Sequence, residues 1–259
     1  MQQQGLTKWI AGVTLALSAF SFSASADVIE ETFEVAAGGT LDLRTQSGSV
    51  RVYTHKASTV ILEVDVSGRD ADEFKLNTDQ SGNDVEVIGE VKGRGWNRDL
   101  RIKFEVTVPE NYNVEVDTSG GSIGVSDLTG NVDVRTSGGS ITVGSIKGRV
   151  KLHTSGGSIQ TEEIYGPLNA HTSGGSIRAK FAEQLTEDAT LDTSGGSITA
   201  YLVSDAKVDL DASTSGGRVR TDFNVDGRVK KQSIRGEING GGPELQLHTS
   251  GGSISVRSL

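Results

Sequence analysis

Three of the four histidines in this chain stand immediately before a repeated Thr-Ser-Gly-Gly-Ser-Ile hexad. His153 and His171 precede two consecutive hexads, and Asp192 precedes the next one. Imidazole nitrogens and carboxylate oxygens are common ligands of divalent metals such as zinc. If consecutive hexads stack on one another, His153, His171 and Asp192 form a candidate metal site.

The same position in every copy of the hexad carries a mixture of charges, which favours a simpler interpretation. The residues in order are Asp117, Arg135, His153, His171, Asp192, Ser213, Lys231 and His248. Neighbouring side chains of opposite charge stabilise a solvent-facing ladder without any ligand. We favour this ladder over a metal site, and we expect no cofactor.

The hexads also repeat serine and paired glycine, two residue types that occur in nucleophilic and phosphate-binding sites. The serines recur without a base beside them, which a nucleophile requires, so we expect a ladder of hydroxyls (Ser122, Ser140, Ser158, Ser176, Ser197). No GxxxxGK[ST] motif accompanies the glycines. We interpret them as turn-forming residues: Gly120, Gly121, Gly138, Gly139, Gly156, Gly157, Gly174, Gly175, Gly195, Gly196, Gly216, Gly217, Gly251 and Gly252.

Paired carboxylates would be needed for the hydrolysis of a polysaccharide. The position three residues before each hexad reads Glu115, Asp133, Lys151, Asn169, Thr190, Asp211 and Gln246, so only the first two members are adjacent acids. We interpret this pair as part of a solvated face and assign no catalytic residue. A polysaccharide-active enzyme remains an alternative function.

Trp96 differs from the other aromatic residues because its surroundings are rich in glycine and arginine, in Gly93-Arg94-Gly95-Trp96-Asn97-Arg98. An aromatic residue in such a loop is a candidate contact residue for a ligand.

The hexad positions define the elements that must hold these side chains. TSGGSI begins at six threonines, and the variant TSGGRV begins at a seventh (Thr118, Thr136, Thr154, Thr172, Thr193, Thr249; variant at Thr214). Most intervals are 18 or 21 residues, and the last is 35. QSIRGEI from Gln232 divides that interval as a degenerate copy, which predicts eight units.

Each unit shows the alternation of two short β-strands. Val132, Val134 and Thr136 alternate with polar residues, and Ile141 and Val143 do so after the glycine pair. One unit buries too little apolar surface to fold alone, whereas units stacked in register complete each other's hydrogen bonds. The sequence therefore predicts an all-β, single-stranded β-solenoid with about 18–21 residues per coil. The preferred handedness of parallel crossovers predicts a right-handed β-helix.

The mature chain divides into two parts in this interpretation. Residues 27–116 form an N-terminal, wider and capping part, in which TQSGSV at Thr45 and TDQSGNDV at Thr78 resemble the hexad. Residues 117–259 form the regular TSGGSI solenoid. Because the chain stops shortly after the last hexad, we expect an uncovered strand edge at that end and a homo-oligomer formed through it.

Residues 1–26 are predicted to be a secretory signal peptide. Lys8 precedes an apolar run from Trp9 to Phe22, and Ala24-Ser25-Ala26 offers a cleavage site. We expect an exported protein, periplasmic or extracellular, without a transmembrane anchor. The chain has no cysteine, and 24 basic against 34 acidic residues remain once Lys8 is removed. This net charge of −10 argues against a nucleic-acid partner.

The signal peptide, the serial hexads, the opening FEVAAGGTL from Phe33 and the closing INGGGP from Ile238 together resemble the bacterial putative-adhesin family of exported β-strand repeats, similar to the heads of GIN-type adhesins. The resemblance covers essentially the whole mature chain. It implies a right-handed β-helix, adhesion by analogy and no catalytic residue. We therefore expect a non-enzymatic surface-binding or structural module of the cell envelope, with an envelope, surface or glycan ligand. A periplasmic scaffold for an envelope partner is a further alternative.

Overall fold

The computed structural model describes residues 27–93 and 99–259, and these residues form an all-β fold. One short 3-10 helix, Ala71–Glu73, is the only helical element in this part of the chain. The strands are β1 Asp27–Glu34, β2 Thr40–Thr45, β3 Ser49–His55, β4 Thr59–Ser67, β5 Phe74–Ser81, β6 Asp84–Val91, β7 Arg101–Pro109, β8 Asn113–Thr118, β9 Ile123–Val125, β10 Leu128–Thr129, β11 Val132–Thr136, β12 Ile141–Val143, β13 Ile146–Lys147, β14 Val150–Thr154, β15 Ile159–Ile164, β16 Leu168–Thr172, β17 Ile177–Phe181, β18 Ala189–Thr193, β19 Ile198–Leu202, β20 Val208–Thr214, β21 Val219–Thr221, β22 Asp226–Val229, β23 Ser233–Ile238, β24 Glu244–Thr249 and β25 Ile254–Ser258.

The strands form two mixed sheets, each with parallel strands in the middle and antiparallel strands at one or both ends. The first sheet has 13 strands in the order β1-β4-β7-β3-β9-β12-β15-β17-β19-β25-β21, with β10 and β13 beside this path. The second sheet has 12 strands in the order β22-β23-β20-β24-β18-β16-β14-β11-β8-β2-β6-β5.

One strand of the second sheet and the next strand of the first sheet make a coil, which we name by its hexad threonine. The coils are coil 45 (β2, β3), coil 118 (β8, β9), coil 136 (β11, β12), coil 154 (β14, β15), coil 172 (β16, β17), coil 193 (β18, β19), coil 214 (β20, β21) and coil 249 (β24, β25). In the middle of the stack, Val132 pairs with Val150 and Ile141 with Ile159, so hexad lies on hexad as predicted.

The predicted alternation places the apolar side chains between the two sheets. Val132, Val134 and Ile141 are fully or almost fully buried, whereas Arg135 and Thr142 are exposed. Burial of one such aliphatic side chain contributes about 1.5–3 kcal/mol, so a coil acquires its stability mainly through its neighbours.

Two predictions for the C-terminal end of the chain are wrong. Coil 249 does not end the stack, because β24 pairs with both β18 and β20 and thus lies between coil 193 and coil 214. QSIRGEI is not a degenerate coil either, since β23 runs antiparallel to β20 and, together with β22, covers the outer edge of the second sheet there. The premise for self-association through an open C-terminal coil is therefore wrong.

The N-terminal end has the same arrangement. Coil 45 lies between coil 118 and the pair β6 and β7, so TQSGSV is confirmed as a hexad in register with the others. TDQSGNDV is not a hexad, because Ser81 pairs with Asp84 in the antiparallel hairpin of β5 and β6. Antiparallel strands β1, β4 and β5 complete this end of the two sheets.

In most coils the hexad threonine forms a hydrogen bond to the neighbouring coil. The Thr154 hydroxyl is buried, donates to the carbonyl oxygen of Gly139 at 2.7 Å and accepts from the Gly157 N–H at 3.4 Å. The same pair of bonds recurs at Thr172, Thr193 and Thr249. Threonine suits this position because its β-branched side chain favours the strand and its hydroxyl forms hydrogen bonds with backbone groups of the bends.

The second glycine of the hexad is required by close packing of coils. A Cβ built on Gly157 would overlap with the carbonyl oxygen of Gly139, and the second glycine of the other Gly-Gly pairs is equally crowded. Two hexad glycines have a positive φ: Gly121 at 106° and Gly48 of TQSGSV at 120°. For the second glycine, proximity to the neighbouring backbone is thus the main requirement, and the turn-forming role of the glycine pairs stays a prediction.

Candidate functional site

The residues that precede the hexads form one exposed row along the second sheet, which we call the histidine row. Its spatial order is Arg44, Asp117, Arg135, His153, His171, Asp192, His248 and Ser213. His248 lies beside Asp192 rather than at the end of the row, because coil 249 is inserted there. Lys231 is not a member, since Ser233 is the register partner of Ser213.

The centre of the histidine row contains a pair of stacked rings and a close contact between a histidine and a carboxylate. The rings of His153 and His171 are 5.0 Å apart and nearly parallel, with an interplanar angle of 6°. His171 Nδ1 lies 3.0 Å from Asp192 Oδ1. Partial burial and the nearby His171 and Arg135 lower the pKa of His153 below its ordinary value of 6.5. Both neighbours therefore favour a neutral His153.

This geometry bears on the metal interpretation of His153, His171 and Asp192. Nitrogen lone pairs lie in the imidazole plane, so two parallel stacked rings direct them along parallel planes and not toward one ion. In the described ranges, no group of three or more histidine, cysteine or acidic side chains has an arrangement that could hold a metal. A metal here would require the rings to rotate, and the site stays a prediction.

A second exposed row on the same sheet is more acidic than the sequence indicated. Glu115 and Asp133 are neighbours as expected, and coil 45 and β6 extend the row with Asp42 and Glu86. Arg44 pairs with Asp42 and lies 3.6 Å from Glu86, while Arg135 lies 3.1 Å from Asp133. Three of these four carboxylates therefore contact one of two arginines of the histidine row.

The outer face of the first sheet contains a depression that sequence reasoning missed. Its central row runs Glu105, Arg51, Gly124, Thr142, Gln160, Arg178, Thr199, Ser255 and Arg220. Gly124 is the only member without a side chain, and the gap it leaves opens into a depression of about 510 Å³ bordered by Arg51, Tyr53, Lys103 and Thr142. We call this depression the Gly124 notch.

Tyr53 stands at the border of the notch, where 38% of its surface is exposed. Its hydroxyl donates to Glu105 Oε1 at 3.2 Å, and Lys103 Nζ lies 2.8 Å from Glu105 Oε2. Hydrogen bonding from Lys103 is the main cause that lowers the pKa of Glu105, so this carboxylate is ionised at neutral pH. These contacts among the three side chains hold the tyrosine ring at the border of the notch.

Trp96 and the hexad serines are the two remaining features that the sequence singled out. Trp96 lies outside the described residues. The hexad serines form a hydroxyl ladder of the expected kind: the Ser140 N–H donates to Ser122 Oγ at 3.2 Å, and the Ser158 N–H donates to Ser140 Oγ at 3.2 Å. Their hydroxyls thus serve as acceptors between coils.

The sequence of the chain matches one protein family. The family described as Toastrack DUF4097 matches residues 38–257, almost the entire described chain. The chain belongs to this family. No curated protein matches it. None of the helices in the described ranges is long and apolar enough to cross a membrane.

Solved structures resemble the chain over nearly its full length at low sequence identity. A putative cell adhesion protein from Clostridium sporogenes is 14% identical, with 91% of this chain and 100% of that one covered and a TM-score of 0.38. A putative adhesin from Bacteroides fragilis is 14% identical, with 91% and 98% covered and a TM-score of 0.29. A putative lipid binding protein from Parabacteroides distasonis is 15% identical, with 90% and 97% covered and a TM-score of 0.42.

Proposed function

We propose that this Toastrack protein is an exported, non-enzymatic module of the bacterial cell envelope that binds a surface or glycan ligand, as an adhesin does. The observation that carries the proposal is the register of the coils. This register places the equivalent outward-facing side chains of successive coils about 4.8 Å apart along both sheets, which gives long faces with a regular spacing. A face of this kind suits an extended polymer better than a small substrate.

Export of the protein and right-handed winding of its coils are parts of the same proposal. The apolar run from Trp9 to Phe22 and the Ala24-Ser25-Ala26 cleavage site support a signal peptide and a periplasmic or extracellular protein that begins at Asp27. The parallel coils support a right-handed β-helix, because parallel crossovers are right-handed in nearly all proteins. Cell fractionation followed by N-terminal sequencing tests export: a chain retained in the cytoplasm with its first 26 residues would contradict it.

Binding without cleavage is tested by two measurements on the same purified protein. A glycan array and a cell-surface binding assay should detect a ligand, and an assay for reducing ends should detect no release of sugar from the polysaccharides that bind. Failure to bind any glycan or envelope preparation would contradict surface binding. Release of reducing ends would contradict the non-enzymatic assignment.

The acidic row supports a second candidate, a polysaccharide-active enzyme. Glu86, Asp42, Glu115 and Asp133 are adjacent in the sheet, and Glu115 and Asp133 border a depression of about 270 Å³. Glycosidases place two carboxyl groups about 5–9.5 Å apart, which neighbouring and alternate coils can provide. In this case Glu115→Gln would abolish sugar release, whereas Asp211→Gln at the far end of the same row would not.

A further inference from the structure

We infer that the Gly124 notch is a binding site for a carboxylated sugar, such as a uronic acid residue of a polysaccharide; this inference rests on the proposed surface-binding function. The position of Gly124 in the interior of a strand points to a ligand. Glycine in a strand interior costs about 0.5–1 kcal/mol relative to alanine and is typical of places where another molecule approaches the backbone.

Nothing in the fold requires glycine at this position. The φ angle of Gly124 is not positive, and a Cβ added there would meet only Arg51 Cγ, at an ordinary contact distance of 3.9 Å. The second glycine of each hexad Gly-Gly pair differs in this respect, because its added Cβ would overlap with the neighbouring backbone. We therefore attribute glycine at position 124 to the open space in front of it, which a side chain would fill.

The size and lining of the notch select the class of ligand. A volume of about 510 Å³ lies within the range of about 300–1,000 Å³ that is typical of small-molecule sites. Tyr53 offers an aromatic ring, held by Glu105, against which a sugar ring can pack, and Ser126 and Thr142 offer hydroxyl groups. An aromatic surface surrounded by hydroxyls is suited to a carbohydrate.

The charges within the notch favour a carboxylate on that sugar. Lys103 Nζ lies 2.8 Å from Glu105 Oε2. Exposed Arg51 forms no salt bridge with a carboxylate of the described residues, and the neighbouring Tyr53 hydroxyl and the more distant Glu105 raise its pKa, so its guanidinium is charged and accessible. A guanidinium binds a carboxylate through two parallel hydrogen bonds. On its other side, Tyr53 borders a smaller depression of about 210 Å³ that contains Glu63 and Glu105, so a carboxylated ligand is directed to the Arg51 side.

Titration calorimetry of the purified full-length protein with oligogalacturonate, alginate oligosaccharides and hyaluronan oligosaccharides tests this site, with neutral galactan oligosaccharides for comparison. We expect at least one uronate to bind about tenfold more tightly than the neutral sugar. Arg51→Gln and Gly124→Gln should each weaken that binding by about tenfold. Gly124→Gln should leave the melting temperature unchanged or raised, which separates lost binding from lost folding.

Two variants in the same row provide matched controls. Arg178→Gln removes a cation about 19 Å from Arg51, and Ser255→Gln adds bulk beyond Thr199, so neither should alter binding. The inference is overturned if no uronate binds, if neutral sugars bind equally well, or if the controls weaken binding as much as the notch variants. Binding to glycans or envelopes that is unaffected by the notch variants would overturn this site and leave the proposed function intact.

Discussion

The hydroxyl of Thr249 donates a hydrogen bond of 2.7 Å to the carbonyl oxygen of Gly196, 53 residues earlier in the chain. Thr214 in turn donates to the carbonyl oxygen of Gly252 at 2.6 Å. The C-terminal coil is therefore enclosed by coils on both sides, and at the other end coil 45 lies between coil 118 and the strands β6 and β7. Antiparallel strands, instead of the terminal coils, lie at both edges of the second sheet, where an open parallel edge would favour aggregation.

Removal of one hexad hydroxyl should destabilise the stack. Thr172→Val keeps the shape of a fully buried side chain but loses the donor to Gly157 and the acceptor for the Gly175 N–H. We expect the free energy of unfolding in urea to fall by about 1–3 kcal/mol. Thr142→Val, at an exposed strand position, should change it by less than about 0.5 kcal/mol. Equal effects of the two variants would contradict a specific role of the buried hydroxyl.

Substitution at the two glycines of a hexad should give very different results. Gly157→Ala places a methyl group against the Gly139 carbonyl, so the coils must separate locally, and we expect a loss of about 3 kcal/mol or more in thermal or urea unfolding. Gly120→Ala has open space around the new methyl group and a φ that is not positive. It should be neutral or stabilising by up to about 1 kcal/mol. A harmless Gly157→Ala would show that coil contact does not require this glycine.

The hexad register was predictable from sequence, whereas the order of the coils was not. Val132, Ile141 and the hexad threonine appear at fixed offsets, and the two-residue alternation determines which of them face inward. Stacking order is ambiguous because any hexad can pair equally well with any other. A signal was present in TSGGRV: Arg218 replaces the serine whose Oγ elsewhere accepts an N–H from the next coil, and coil 214 has no such coil beyond it.

The same ambiguity limited the prediction of sites. The histidine row followed from the hexad register, but the position of His248 depended on where coil 249 lies. Gly124 stands out in the sequence as the one glycine at its place in the repeat. Its neighbours Arg51, Tyr53 and Lys103 belong to strands separated from it by other elements, so the notch could be recognised only once coil 45 was placed next to coil 118.

His153 should titrate below its ordinary pKa of 6.5 in the folded protein. Because the unfolded chain then binds this proton more readily, the contribution of His153 to stability is complete above pH 6.5 and decreases as the pH falls below it. His171→Ala removes the stacked ring and its charge, so the pKa of His153 should rise in a titration followed by NMR. His248→Ala, three coils away, should have no effect. A pKa above 6.5 in the unmodified protein would contradict this account.

Zinc should not bind at the histidine row while the rings remain stacked. Titration calorimetry of the purified protein with zinc should give no heat that depends on His153 and His171, because their lone pairs do not converge. The double variant His153→Ala, His171→Ala is the control. A saturable heat that disappears in the double variant would show that the rings rotate and that the predicted metal site exists.

The position of the C-terminal coil decides the order of the side chains at that end of the outward rows on both sheets. The natural chain has no cysteine, so pairs can be introduced without interference. Asp192 and His248 are register partners on adjacent parallel strands, at a Cα separation of about 4.8 Å that a disulfide can span. Asp192 and Ser213 lie two coils apart, about 9.6 Å, which is too far. Under mild oxidation at low protein concentration, mass spectrometry should find the intramolecular disulfide in the double variant Asp192→Cys, His248→Cys and not in Asp192→Cys, Ser213→Cys. The reverse result would mean that the coils stack in chain order and would contradict the account.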